Sequence, residues 1–256
     1  MRLLVDIGNS TTVMAIAKAD GSIESTWRFK TQKNGTEYFF RNEIIGGLTP
    51  RSITPSQIEA VVVSSVVPEV KEELSEAVIS VIGKALHFFS VHDAKRVIDI
   101  DVESPTQLGN DRVADAIGAV VCYGAPVIVF DLGTATTVGV VNEDKCFIGG
   151  MIIPGVKTSL SALTTRASQL PTINIEKPKH IIGRNTIECM QSGIIHGTAA
   201  MIDGIISDIL PSFGNQPVKI VATGGMSKQI MPHCKHEIAV EPHLQFKGIF
   251  HATKEL

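Results

Sequence analysis

Apolar and polar residues alternate along this chain in short runs that stop at glycine-bearing turns. Leu3-Leu4-Val5 is an apolar run that ends at Asp6-Ile7-Gly8-Asn9-Ser10, and Thr12–Ala17 is a second run directly after it. Asp20-Gly21 signals a hairpin, so Ile23–Thr31 is predicted as a third strand. Glu37–Leu48 has the spacing of a helix. Val61-Val62-Val63, within 58–67, is β-branched and reads as a buried parallel strand. Pro68 follows it. From 69 to 85 the apolar residues Val70, Leu74, Ala77, Val78 and Val81 recur at helical spacing, with acidic residues in the first turn.

The same order returns in the second half. Val127–Phe130 is a buried-type strand stopping at Asp131-Leu132-Gly133, residues 136–142 form the next strand, and 146–153 the third. Helices are predicted over 155–166 and 185–210, a strand over 218–222 ending in Thr223-Gly224-Gly225, and a closing helix over 244–252. The recurrence is literal at one place: Asp6-Ile-Gly-Asn-Ser-Thr-Thr-Val13 aligns without a gap with Asp131-Leu-Gly-Thr-Ala-Thr-Thr-Val138. The offset is close to half the chain. Two similar α/β halves are therefore expected, 1–117 and 118–256, each opening with a hairpin whose first turn carries Asp-x-Gly.

Composition narrows the class. The chain has 256 residues, is 44% hydrophobic and 19% charged, and carries a formal charge of −3. It is too apolar for disorder and long enough to bury a substantial core. A balanced charge without a basic run gives no field for nucleic acid, and 5% aromatics make a poor stacking platform. The apolar stretch 116–130 is interrupted by Gly118, Tyr123, Gly124 and Pro126, so no membrane span is expected there, and the first residues do not read as a signal peptide. Cys122, Cys146, Cys189 and Cys234 form no close pair, which argues against a zinc site or disulfide framework and fits a reducing cytoplasm.

Several turns could carry chemistry. In the Asp6 turn, Gly8 admits close backbone approach, and the N–H groups of Gly8–Thr11 with the Ser10 and Thr11 hydroxyls could hold phosphate oxygens. Asp6 could hold a hydrated Mg²⁺. The Asp131 turn has the same physics. A plain capped hairpin explains either turn equally well when each is taken alone. Gly149-Gly150 through Gly155 opens a helix whose N-terminus favours anions, although a bulge and a proline helix start explain the same residues. Thr223-Gly224-Gly225 could pack against a flat ring or a phosphate, or simply turn the chain. Gly109-Asn110-Asp111-Arg112 stands just before an apolar helix. Asp111 could accept a proton from a substrate hydroxyl and Arg112 could pair with a carboxylate or phosphate, or the pair could be a helix cap with a surface arginine. Asp115 reads as a solvated helix position. The eight histidines are scattered, and neither a serine-hydrolase elbow nor a P-loop occurs.

In combination, these motifs resemble the type III pantothenate kinases, of the acetate kinase, sugar kinase, actin and heat-shock chaperone ATPase superfamily. The resemblance rests on Asp6-Ile-Gly-Asn9, Gly109-Asn-Asp-Arg112, Asp131–Thr137, Gly149–Gly155 and Thr223–Ser227, in that order, with later blocks at 182–186, 191–193 and 244–248. It implies two duplicated actin-like (ribonuclease H-like) α/β halves around a central nucleotide cleft, and ATP-dependent phosphorylation of pantothenate. It further implies ATP contacts from Asp6, Ile7, Gly8, Asn9, Ser10, Thr11, Thr12, Val13 and Thr134. Pantothenate contacts are implied for Gly109, Asn110, Asp111, Arg112 and Thr186, with Asp111 as proton acceptor. Asp131 would bind a monovalent cation, K⁺ or NH₄⁺, and Asp6 would hold Mg²⁺ through water. In the family the pantothenate site is completed across a homodimer interface. Val102, Asn110 and Ser10 depart from residues common in the family, and none of them removes a charge the reaction needs. A non-catalytic accessory protein and another enzyme of the superfamily, such as a polyphosphate hydrolase, are the rival readings.

Overall fold

The computed structural model describes residues 1–256. Its chain divides into two compact units, Met1–Cys122 with His243–Leu256, and Tyr123–Pro242.

In the first unit, β1 (Arg2–Ile7), β2 (Thr11–Ala17) and β3 (Ile23–Lys30) form an antiparallel meander. Helix α1 (Glu37–Leu48) follows, capped by Thr36, whose hydroxyl accepts from the Phe39 N–H. β4 (Ala60–Ser65) then pairs parallel to β1, with Val61–Val63 facing Leu3–Val5. Helix α2 (Lys71–Ile82) starts two residues later than its periodicity suggests, because Pro68–Val70 form a 3₁₀ turn, and it ends at Gly83 in the left-handed conformation. β5 (Leu86–Phe88) completes the sheet in the order β3-β2-β1-β4-β5. Helix α3 (Val91–Ala94) and the two-residue strand β6 (Asp99–Ile100) lead to α4 (Asn110–Tyr123). One face of the sheet (Leu3, Val5, Ile7, Val61, Val63) packs with Phe40 and Ile44 of α1 and Leu74 and Val78 of α2. β5 and α3 are not among the predicted elements. They are too short for a periodic pattern to show.

The second unit repeats this plan. β7 (Val127–Leu132), β8 (Ala135–Val141) and β9 (Cys146–Pro154) form an antiparallel meander, helices α5 (Val156–Arg166) and α6 (Thr186–Ile209) follow, and β10 (Lys219–Thr223) pairs parallel to β7. After α7 (Ser227–Ile230), β11 (Ala239–Val240) extends the row to β11-β10-β7-β8-β9, the same order as in the first unit read from the other edge. Ile128, Phe130, Leu132 and Val138 form the core with Ile195, Ala199, Ile202 and Ile206 of α6. Continued to Phe213, α6 is long and apolar enough by composition to cross a membrane, but this buried face is already occupied by the unit's own core.

The chain then returns to the first unit as α8 (Leu244–Ala252). Arg2 ties its end down by donating to the carbonyls of Thr253 and Lys254.

The two hairpins differ by one residue, which corrects the gapless alignment. Ile7 pairs with Thr12, whereas Leu132 pairs with Thr136. The first turn therefore has one extra residue, and Thr12 rather than Thr11 corresponds to Thr136. Burial agrees: Thr12 and Thr136 are both buried, while Thr11 is exposed. The doubled threonine in each half hides this shift in the sequence.

Candidate active site

In the first unit, Asp6 stands at the carboxyl end of β1, next to Ser64 of β4 in the parallel ladder. The following turn closes through Gly8 N–H donating to the Thr11 carbonyl at 3.1 Å. Thr31, just past β3, braces it. Its hydroxyl donates to the Gly8 carbonyl at 2.7 Å and meets the Thr12 hydroxyl at 3.0 Å. Asn9, Ser10 and Thr11 are exposed at the tip, and Ile7 and Thr12 are buried beneath it. Val13 is half-buried and pairs with Asp6. One carboxylate oxygen of Asp6 accepts a 2.8 Å hydrogen bond from the Gln245 side chain of α8. The Ser64 hydroxyl is fully buried and has no protein partner.

The Asp111 block does not stand before a helix, as its sequence suggests, but forms the first turn of α4. Asp111 Oδ1 accepts from the Arg112 backbone N–H at 2.8 Å, and a side chain at Gly109 would collide with that carboxylate. Burial pushes the Arg112 guanidinium down from its ordinary value, and the neighbouring Asp111 carboxylate opposes the shift. Gly109, Asn110, Asp111 and Arg112 are all half-buried. Asp115 is not solvated: it is 4% exposed, within the buried run Val113–Val120. Two glycines let α4 and α8 cross closely. A Cβ on Gly118 would lie 3.0 Å from the Leu244 carbonyl carbon, and one on Gly248 would lie 2.7 Å from that of Ala114.

In the second unit three of the glycine-bearing motifs converge. Asp131 ends β7 opposite Thr223 of β10, so the Gly224 turn lies beside it. Gly224 has φ +87°, and a Cβ there would collide with Asp131 Oδ1 and lie 2.5 Å from the Leu132 nitrogen. A Cβ on Gly155, at the start of α5, would lie 2.6 Å from the Gly133 carbonyl oxygen, and the Thr158 hydroxyl donates to the Thr134 carbonyl at 2.7 Å. Asp131 is half-buried and Thr134 exposed. Gly149 and Gly150 belong to a bulged part of β9, where Gly149 pairs with Val140 and Phe147 with Val141. Beside the Gly225 turn lies a cavity of about 740 Å³, bounded by Lys157, Leu160, Met226, Gln229 and the segment 172–176. Its size suits a small-molecule ligand. Thr186 is exposed at the first position of α6, whose cap, Asn185, accepts from the Glu188 N–H at 2.9 Å.

Two features escaped the sequence reading. Gln245 lies 239 positions from the carboxylate it touches, and the Asp203–His236 pair joins α6 to a distant loop. Burial pushes the Asp203 carboxyl up, but the Lys235 N–H, the His236 ring and the His236 N–H outweigh it, and the group titrates below its ordinary value.

Residues 2–208 match the family model of the type III pantothenate kinases. Solved structures show the same fold over nearly the whole chain. A Baf family transcriptional activator from Campylobacter jejuni is 19% identical with a TM-score of 0.59, covering 99% of this chain and 98% of that one. The activator of 2-hydroxyisocaproyl-CoA dehydratase from Clostridium difficile, with bound ADPNP, is 14% identical with a TM-score of 0.58, covering 99% and 92%. A 2-dehydro-3-deoxygalactonokinase from Sinorhizobium meliloti is 11% identical with a TM-score of 0.57, covering 100% and 97%. The fold class is thus the duplicated actin-like α/β fold that these solved structures share.

Proposed function

The chain belongs to the type III pantothenate kinase family, a family of phosphotransferases, and from that premise we propose that it transfers the γ-phosphoryl group of ATP to the primary hydroxyl of pantothenate. The product is 4'-phosphopantothenate, and the reaction opens coenzyme A biosynthesis, in the cytoplasm. The observation that carries this reading is the family match over residues 2–208, which takes in the Asp6 and Asp131 turns and the Asp111 block.

Phosphoryl transfer proceeds through a loose transition state, so positioning and charge stabilisation account for most of the rate. The exposed tip Asn9–Thr11 and the buried floor Ile7 and Thr12, with Asp6, Gly8 and Val13, make the first phosphate turn. Thr134 and the turn held by Gly155 and Gly224 make the second. The 740 Å³ cavity beside Gly225 is assigned to the nucleoside end of ATP. Asp111 accepts the proton of the pantothenate hydroxyl as its oxygen attacks phosphorus, while the Arg112 amide holds the other part of the carboxylate in place. Arg112, Gly109, Asn110 and Thr186 bind the pantothenate itself.

The donor set suits two cations. Asp6, with the orphaned hydroxyl of Ser64 on the adjoining strand, offers the oxygen ligands that Mg²⁺ prefers. Asp131, packed against Gly224, offers a carboxylate for K⁺ or NH₄⁺. When bound, these ions offset phosphate charge.

Pairing into a homodimer is supported by α6. Gly193, Gly197, Ala200 and Gly204 recur on one exposed face, and added Cβ atoms at the three glycines would meet open space. Such a small-residue face admits a second helix at close range. Exposed Ile181, Ile182 and Ile187 lie just before and at its start.

An ADP-release assay with and without pantothenate, and with and without potassium, tests the proposal. ADP release that depends on pantothenate supports it. Equal release without pantothenate indicates a hydrolase, and none under any salt indicates an accessory protein.

A further inference from the structure

Asp6 is the acidic group of the first phosphate turn, and its carboxylate does not stand alone. Gln245, the second residue of α8, reaches it with a 2.8 Å hydrogen bond from Nε2 to Oδ1. The helix carrying Gln245 is itself fixed. Leu244 and Phe246 on either side are 0% and 5% exposed, and Gly248 seats α8 against α4, close to the Ala114 carbonyl. The terminal carbonyls of the same segment accept from Arg2, at the opposite end of β1 from Asp6. A long, flexible amide side chain thus has both its origin and its target held.

An amide donor is the appropriate neighbour for such a carboxylate. It fixes the rotation of the carboxylate plane and satisfies one lone pair without adding a charge that would compete with a cation. Ser64 of β4 brings a fully buried hydroxyl with no protein partner to the neighbouring register position. The polar groups around Asp6 therefore include one donor already committed to it and one hydroxyl still to be satisfied.

We infer that Gln245 is a positioning residue for the phosphate turn: it holds the Asp6 carboxylate in the orientation that receives the magnesium-bound nucleotide. The inference rests on the proposed kinase reading. It assigns a duty to the C-terminal helix, which the second unit separates in sequence from the turn it serves. The same helix, through Gly118 and Gly248, sets the height of α4, whose first turn carries Asp111. One helix thereby registers both acidic candidates of the first unit.

The test compares Gln245→Leu, which keeps the side chain's bulk, and Gln245→Glu, which replaces the donor with an acceptor. Each is titrated with ADP in the presence of Mg²⁺ and again with chelator, following the rise of the melting midpoint with ligand. Wild-type turnover with pantothenate is measured alongside. Loss of a group that orients a metal-binding carboxylate typically weakens metal-linked affinity about 10- to 100-fold. The expected result for Gln245→Leu is a loss of at least about tenfold in Mg-ADP affinity, with chelator-treated ADP affinity unchanged. Gln245→Glu is expected to lose more. Unchanged Mg-ADP affinity in Gln245→Leu overturns the inference. So does an equal loss with and without Mg²⁺, since that marks a packing role. If wild type turns over no pantothenate yet Gln245→Leu loses Mg-ADP affinity selectively, the kinase reading fails and the positioning role stands.

Discussion

Replacing Gly224 with alanine tests whether the second unit's turns are built around Asp131. The backbone there is left-handed, at φ +87°, which costs an L-residue about 1–2 kcal/mol. The new methyl would also collide with Asp131 Oδ1 and lie 2.5 Å from the Leu132 nitrogen, both on the end of β7. These are backbone and short side-chain atoms with little freedom to move, and overpacking of this kind costs about 1–3 kcal/mol. The sum is about 2–5 kcal/mol, which for a chain of this size lowers the melting midpoint by about 4–20 °C. Gly225 is the internal control. Nothing lies within 4 Å of its would-be Cβ, so Gly225→Ala should stay within about 0.5 kcal/mol of wild type. Thermal melts of the three proteins by far-UV circular dichroism read the stability. Nucleotide titrations with and without potassium read the effect on Asp131. Gly224→Ala should lose stability and the potassium effect together, while Gly225→Ala, which borders the cavity, should change only nucleotide affinity. If the two variants melt alike, the close approach of the Gly224 turn to Asp131 is not what shapes this end of the sheet.

Other consequences are as direct. Asp111→Asn removes the proposed proton acceptor but keeps the shape of the first turn of α4, so it should fold normally and lose about 10²- to 10⁴-fold in turnover; near-normal turnover removes Asp111 from that role. Gly197→Leu places a large side chain on the exposed small-residue face of α6 and should yield monomers in sedimentation experiments, with the isolated fold intact; an unchanged dimer moves the interface elsewhere. Asp203 is held below its ordinary carboxyl range, so it stabilises the fold fully above its unfolded pKa of about 3.9 and loses that contribution as pH falls through its lower folded value. Asp203→Asn should therefore be less stable than wild type at neutral pH in denaturant titrations, and the gap should close as pH falls below about 4; a gap that persists into strong acid would contradict the ionic origin.

The parts of the fold that were legible in the sequence are those with local period. The six strands of the two meanders were readable because each alternates or runs apolar up to a glycine turn, and α2 and α6 because their apolar residues recur at helical spacing. β5, α3 and β11 have three, four and two residues, too few to show any period. Asp115 shows the limit of charge as a guide. Its burial follows from α4 being covered along most of its length, which the apolar residues on both sides of it (Val113, Ala114, Ala116 and Ile117) signal more reliably than its own charge does. The threonine doublets made the two turns look longer in common than they are, since a repeated residue tolerates a one-place shift. At the candidate site the motif residues could be named from sequence, but their placement could not. The packing of Gly224 on Asp131 and the bond from Gln245 to Asp6 both join segments far apart in the chain.

The central claim is that this chain couples ATP to pantothenate, and following both products in one reaction tests it most directly. Purified protein with ATP, Mg²⁺, potassium and pantothenate should form 4'-phosphopantothenate, identified by mass, in equal amount to the ADP released. Omitting pantothenate should abolish ADP release. ADP formed without the phosphorylated product, or no product under any of these salts with correctly folded protein, would contradict the account.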